Sequence, residues 1–169
     1  MAWVLSAGRP LGRRGRLLPC PHILAETSAL AEELVFEHYR LSPRLLRQIQ
    51  YEARFLKEGW PFPEEALAVL VRGRRPRGPE SYCIYFPYGR PLPCSRAFLP
   101  ALMLYIFTHE LVHMVRFARY EASYYLGAER RGEEEARVHT KTREILRPLG
   151  HFPGLAETLE RFDQIYARR

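Results

Sequence analysis

From Ala101 to Val115 the chain reads ALMLYIFTHELVHMV, apolar nearly all round. A helix of this kind is stable only where the rest of the protein buries it. At its centre stand His109, Glu110 and His113. At about 100° per residue, two side chains four positions apart lie one above the other on the same helical face. His109 and His113 therefore offer two imidazoles to one cation, and Glu110 sits beside them, placed to take a proton from a water that the cation holds. Unpartnered buried polar groups cost several kcal/mol each, and a metal ion supplies a partner for this set.

Zinc suits these donors, since it lowers the pKa of a bound water towards 7 and polarises a carbonyl oxygen. The spacing His109-Glu110-Leu111-Val112-His113 is the HExxH pattern of zinc hydrolases. Catalytic zinc usually takes three protein ligands and keeps one position open. Downstream lies Gly132-Glu-Glu-Glu-Ala-Arg-Val-His139. With this second segment, residues 100–146 resemble the gluzincin metallopeptidases, in which a helix about twenty residues after HExxH donates a glutamate to the metal.

Glu133, Glu134 and Glu135 fall 20, 21 and 22 positions after His113. Helical phase favours Glu134. The apolar stripe Val138, Thr142, Ile145 and Leu149, carried back four residues, lands on it, whereas Glu133 points nearly to the opposite face and Glu135 to the flank. Family spacing favours Glu133, and Glu133, Glu135 and His139 stay open as alternatives. The resemblance also implies a downstream His or Tyr donor, which the sequence does not assign. Relatives often carry Asp or Asn four residues after the glutamate; the residues here are Arg137, Val138 or His139, depending on the register.

On the motif helix, Tyr105, Arg116 and Tyr120 project within about 40° of the histidine face. Arg116 is a candidate for binding a substrate carboxylate or for pairing with Glu134. Tyr120 is a candidate donor to a tetrahedral oxyanion, and Tyr105 a core or site residue. His139 lies towards Glu135, as an oxyanion donor, a support for the metal shell or an ordinary surface histidine.

The expected fold is α+β: mainly helical and zincin-like, with the HExxH helix central beside a short antiparallel hairpin. Residues 1–22, rich in Gly, Pro and Arg, read as an irregular basic segment, and 23–169 as one metallopeptidase-like domain. A length of 169 residues with 47% hydrophobic composition is enough for a real core. A first helix is expected from Thr27 or Ser28 to about Tyr39. A second, capped by Ser42 with Pro43 at its first position, is expected to carry Leu45, Leu46, Ile49, Ala53 and Leu56 and to stop at Gly59. Residues 66–71 and 81–86 read as hairpin strands, with a helix from Glu64 as the alternative for the first. Pro87, Pro91 and Pro93 mark an irregular connection. The motif helix should start between Ser95 and Pro100 and run to about Tyr120. Helices near 130–146 and 154–167 complete the chain.

The net charge is +7, and Lys57 and Lys141 are the only lysines, so arginine dominates. Arg9, Arg13, Arg14, Arg16 and the Arg72–Arg77 segment read as solvated loops. Nucleic-acid contact is compatible with this charge, but no aromatic-basic recognition motif accompanies it. Cys20, Cys83 and Cys94 form no CxxC pair, and neutral thiols suit a reducing cytoplasm. Cys20-Pro-His22 is too sparse a set for a second metal site. The apolar run 100–115 is short for a membrane span, and residues 1–18 do not form a signal peptide. A cytoplasmic zinc metallopeptidase acting on a peptide or protein is the leading expectation. The rival is a non-catalytic zinc-binding structural or regulatory protein on a peptidase-like scaffold.

Overall fold

The computed structural model describes residues 2–6, 20–56, 62–63, 65–73, 81–88 and 94–167. They fall into two compact units, one built on a sheet (1–18 and 42–95) and one on helices (19–41 and 96–169).

The sheet unit is a four-stranded mixed sheet ordered β1-β3-β4-β2. Strands β3 (Ala66–Gly73) and β4 (Ser81–Pro87) form the expected antiparallel hairpin, with Leu70 opposite Ile84. Ala66 to Leu70 are all buried, as expected of a strand covered on both faces. The helical alternative for this segment is therefore excluded. The hairpin turn, and with it Arg74, Arg75 and Arg77, lies outside the described residues, as do residues 7–19, Gly59, Pro91 and Pro93.

Two expectations fail in this unit. The N-terminal segment is not irregular throughout: β1 (Ala2–Ser6) pairs antiparallel with β3, and its alternate residues Trp3 and Leu5 are buried. The second helix also stops early. Ser42 Oγ accepts from the Leu45 amide and Pro43 occupies the first turn, but α2 spans only Pro43–Leu46. Residues Gln50–Leu56 then form β2, parallel to β4. Tyr51, Ala53 and Phe55 satisfy a period of two as readily as Ala53 and Leu56 satisfy a helical stripe. The open edge of β4 decides between them by supplying ladder partners along the whole segment.

In the helical unit, α1 (Pro21–Tyr39) begins earlier than expected, with Cys20 at its N-cap and Pro21 in its first turn. It packs on α3 (Leu99–Ala118), which follows a short 3₁₀ turn at Arg96–Phe98. From Leu99 to Val115 every residue of α3 is buried except Pro100. With the 3₁₀ turn included, residues 96–118 are long and apolar enough to cross a membrane by length and composition, unlike the shorter run 100–115 expected from sequence. Most of that segment is buried inside the protein. Helices α4 (Ala128–Leu146) and α5 (Leu155–Tyr166) pack on α3 and on each other.

The turn into α5 depends on Gly154. Its φ of 77° lies in the left-handed region, and a Cβ there would collide with the Phe98 ring. Gly154→Ala is expected to lower stability by roughly 1–3 kcal/mol, most of it from this backbone strain and clash. Chemical denaturation of the variant checks this; an unchanged midpoint would show that the turn relaxes freely.

Candidate metal centre

The central part of α3 carries the motif. His109 and His113 stand one turn apart on one face with ring centroids 4.9 Å apart, and both are almost completely buried. Their partner from α4 is Glu135. His109 Nε2 lies 3.1 Å from Glu135 Oε2, and His113 Nε2 lies 3.5 Å from Glu135 Oε1. All three residues offer a ligand atom within 4.8 Å of one another. Among the described residues, this is the only such cluster of three or more His, Cys, Asp or Glu side chains.

Glu134, the residue favoured by helical phase, is not in the cluster. It is buried as expected, but its carboxylate lies against Arg116: Nε to Oε1 at 2.5 Å and Nη2 to Oε2 at 3.1 Å. Glu134 does lie on the inner face of α4, as helical phase predicts, but that face is wider than one residue. The buried side of α4 is Glu134, Glu135, Val138, His139, Thr142, Ile145 and Leu146, a double-width stripe. It is that wide because α4 packs against both α3 and α5. Glu135 is thus an inward residue too, on the side that meets His109 and Tyr166. Glu133 is exposed and paired with Arg137. Because α4 starts at Ala128, only Glu129 of its acidic residues occupies the first turn.

The remaining candidates separate clearly. Arg116 bridges Glu134 and Glu121, which matches the pairing expected from sequence and leaves it committed to a structural network. Tyr120 lies just beyond α3 with a left-handed φ of 57° and is 94% exposed, so it is not beside the histidines. Tyr105 is fully buried, and its ring stacks on Phe162 at 3.8 Å. Its hydroxyl donates to His139 Nδ1 at 2.8 Å. His139 Nε2 donates in turn to Asp163 Oδ1 at 2.9 Å, which assigns the proton of the neutral ring to Nε2. His139 is therefore buried between α3 and α5, not on the surface. Cys20 is exposed at the start of α1, and His22 pairs with Glu26, away from the cluster.

One participant had no sequence signal strong enough to single it out. Tyr166, the last residue of α5, donates its hydroxyl to Glu135 Oε2 at 3.1 Å. Its ring stacks on His139 at 4.5 Å and lies 6.2 Å from His109. Helical spacing marked Leu155, Leu159, Phe162 and Ile165 as the α5 stripe. Of these Leu155 and Phe162 are buried and the others are not, and only the packing of α5 brings Tyr166 over α4.

Burial sets the electrostatics. Desolvation pulls the His109 pKa down to about 4, only partly offset by the hydrogen bond with Glu135, so the ring is neutral at pH 7. A neutral imidazole is the form that binds a metal. For Glu135, burial alone would push the pKa up, but the charge and hydrogen bonds of the two histidines outweigh it and hold the carboxyl well below its usual range. Burial, with Glu135 nearby, pushes Glu110 well above the ordinary carboxylate range.

Two imidazole nitrogens and a carboxylate oxygen converging within 4.8 Å are a donor set that could hold a metal ion. Glu110 is buried, contributes nothing to the triad, and its Oε2 has no hydrogen-bond partner among the described residues. Buried carboxylate oxygens are rarely left so, and a metal-held water would satisfy this one. His109 Nδ1 also lacks a partner among the described residues. The outer hydrogen bond that usually orients a ligand histidine is thus not found on this ring among the described residues.

Comparison with known proteins gives no match, whether to family models, to curated proteins or to solved structures.

Proposed function

We propose that the chain is a zinc-dependent metallopeptidase whose metal is held by His109, His113 and Glu135, with Glu110 as general base. The observation that carries this reading is the placement of Glu110. It is a buried carboxylate next in sequence to one histidine, outside the triad, with an oxygen free to accept from a water. Zinc bound there would supply an acidified water and polarise a peptide carbonyl. Glu110 would take a proton from that water and pass it to the departing nitrogen, one carboxyl serving as base and then acid. Tyr105, His139 and Asp163 tie α3, α4 and α5 together and fix the position of Glu135 relative to the histidines. The protein is read as cytoplasmic, with a peptide or protein as substrate.

A second reading is favoured by one observation, the near-complete burial of the triad. A closed structural site would keep zinc as a staple between α3 and α4 and perform no hydrolysis. Both readings require the metal. Purified protein is expected to hold one zinc per chain and His109→Ala to hold much less, as measured by elemental analysis after dialysis against metal-free buffer. Equal zinc in the two proteins would remove the site from both readings.

A further inference from the structure

Burial within the cluster is graded. His109 is 0% exposed, His113 1%, Glu135 4% and His139 6%, while the Asp163 side chain beyond them is 30% exposed. Exposure thus rises on the side of the cluster that faces α5. Tyr166 packs on that side. Its ring is stacked nearly parallel to His139, with an interplanar angle of 12° at 4.5 Å, and tilted 26° to His109 at 6.2 Å. Its hydroxyl is anchored on Glu135 Oε2, the same oxygen that faces His109 Nε2. Unlike the residues beneath it, Tyr166 is only half-buried. It is also the last residue of its helix, where hydrogen bonds are fewest and local opening costs least.

We infer that Tyr166 is a gate: its ring closes the His109–His113–Glu135 cluster, and movement of the end of α5 opens it to metal and substrate. The hydroxyl–carboxylate bond favours the closed position. The ring supplies the barrier and the hydroxyl sets its register. A gate of this kind reconciles a buried triad with a reaction that needs an approaching peptide. In that respect it rests on the peptidase reading, but access to the imidazoles can be measured without any metal.

The test compares wild type, Tyr166→Ala and Tyr166→Phe as metal-free full-length protein. It follows deuterium exchange at the imidazole C2 positions by mass spectrometry, with exposed His22 and His151 as internal references. The alanine variant is expected to exchange at His109 and His113 at least about tenfold faster than wild type, and the phenylalanine variant to stay within about threefold of it. No acceleration in the alanine variant overturns the gate, and equal acceleration in both overturns the role of the ring. Circular dichroism establishes folding. Should the alanine variant not fold, Tyr166→Leu keeps apolar bulk without a flat ring and is held to the same tenfold criterion.

Zinc release to a chelator gives a second arm. Tyr166→Ala is expected to accelerate uptake and release together and to leave the affinity nearly unchanged. Faster release with unchanged uptake, and so a lower affinity, would make Tyr166 a prop for Glu135 and overturn the gate. If wild type takes up no zinc, the metal reading fails, and the imidazole measurement alone decides the gate.

Discussion

Glu110→Gln is expected to leave zinc bound, leave the fold nearly unchanged and lower peptide hydrolysis by about 10²–10⁴-fold, the usual effect of removing a general base. The substitution keeps size and hydrogen-bonding capacity and removes only the titratable proton. Glu110 is not among the three convergent donors, so the metal has no reason to leave. The variant is expected to be slightly more stable without metal, because a carboxyl whose charged form burial disfavours becomes a neutral amide. The measurement is cleavage of a broad peptide library by zinc-loaded wild type and variant. Equal cleavage by both would rule out Glu110 as the base. Zinc bound by both with cleavage by neither would favour the staple reading.

The second large effect separates two adjacent glutamates. Glu135→Ala is expected to lower zinc affinity by more than about a hundredfold, because loss of a direct ligand exceeds the 10–100-fold typical of an outer partner. Glu134→Ala is expected to leave zinc affinity within a few-fold of wild type and to cost about 3 kcal/mol of folding stability. Removing it strips a bidentate carboxylate from Arg116, whose side chain is only 13% exposed, and a buried charge without its partner is expensive. The cost sits at the lower end of the range for broken buried pairs because Arg116 Nη1 keeps Glu121 at 2.9 Å. Calorimetric zinc titration and chemical denaturation of both variants would show a crossed pattern. The reverse pattern, with zinc lost from Glu134→Ala and kept by Glu135→Ala, would sink the assignment of Glu135.

The crossed pattern also shows how sequence periodicity works and where it stops. Phase along α4 depends on the angle between successive residues, so it correctly separates exposed Glu133 from buried Glu134. Two inward neighbours 100° apart cannot be separated by phase once the helix contacts two others. What separates them is chemistry across the interface: Arg116 takes the carboxylate on its side of the stripe, and the two histidines take the other. Arg116 was legible as a partner for Glu134.

Local sequence determined the elements with strong local causes. The apolar run of α3 required a buried helix, and the i, i+4 spacing required His109 and His113 to share a face. The aromatic run at 81–86 pointed to a strand and residues 155–166 to an amphipathic helix, whereas 66–71 left strand and helix both open. Tertiary structure decided what had two local solutions or none. Residues 50–56 carry patterns compatible with helix and strand, and the free edge of β4 selected the strand. Residues 2–6 are too short to be ordered by propensity alone and gain structure from hydrogen bonds to β3. The choice of Glu135 and the arrival of Tyr166 above it depend on how α5 lies against α4, and no spacing within either helix contains that angle. Periodicity along a helix specifies which way a side chain points; only packing between helices specifies what it meets.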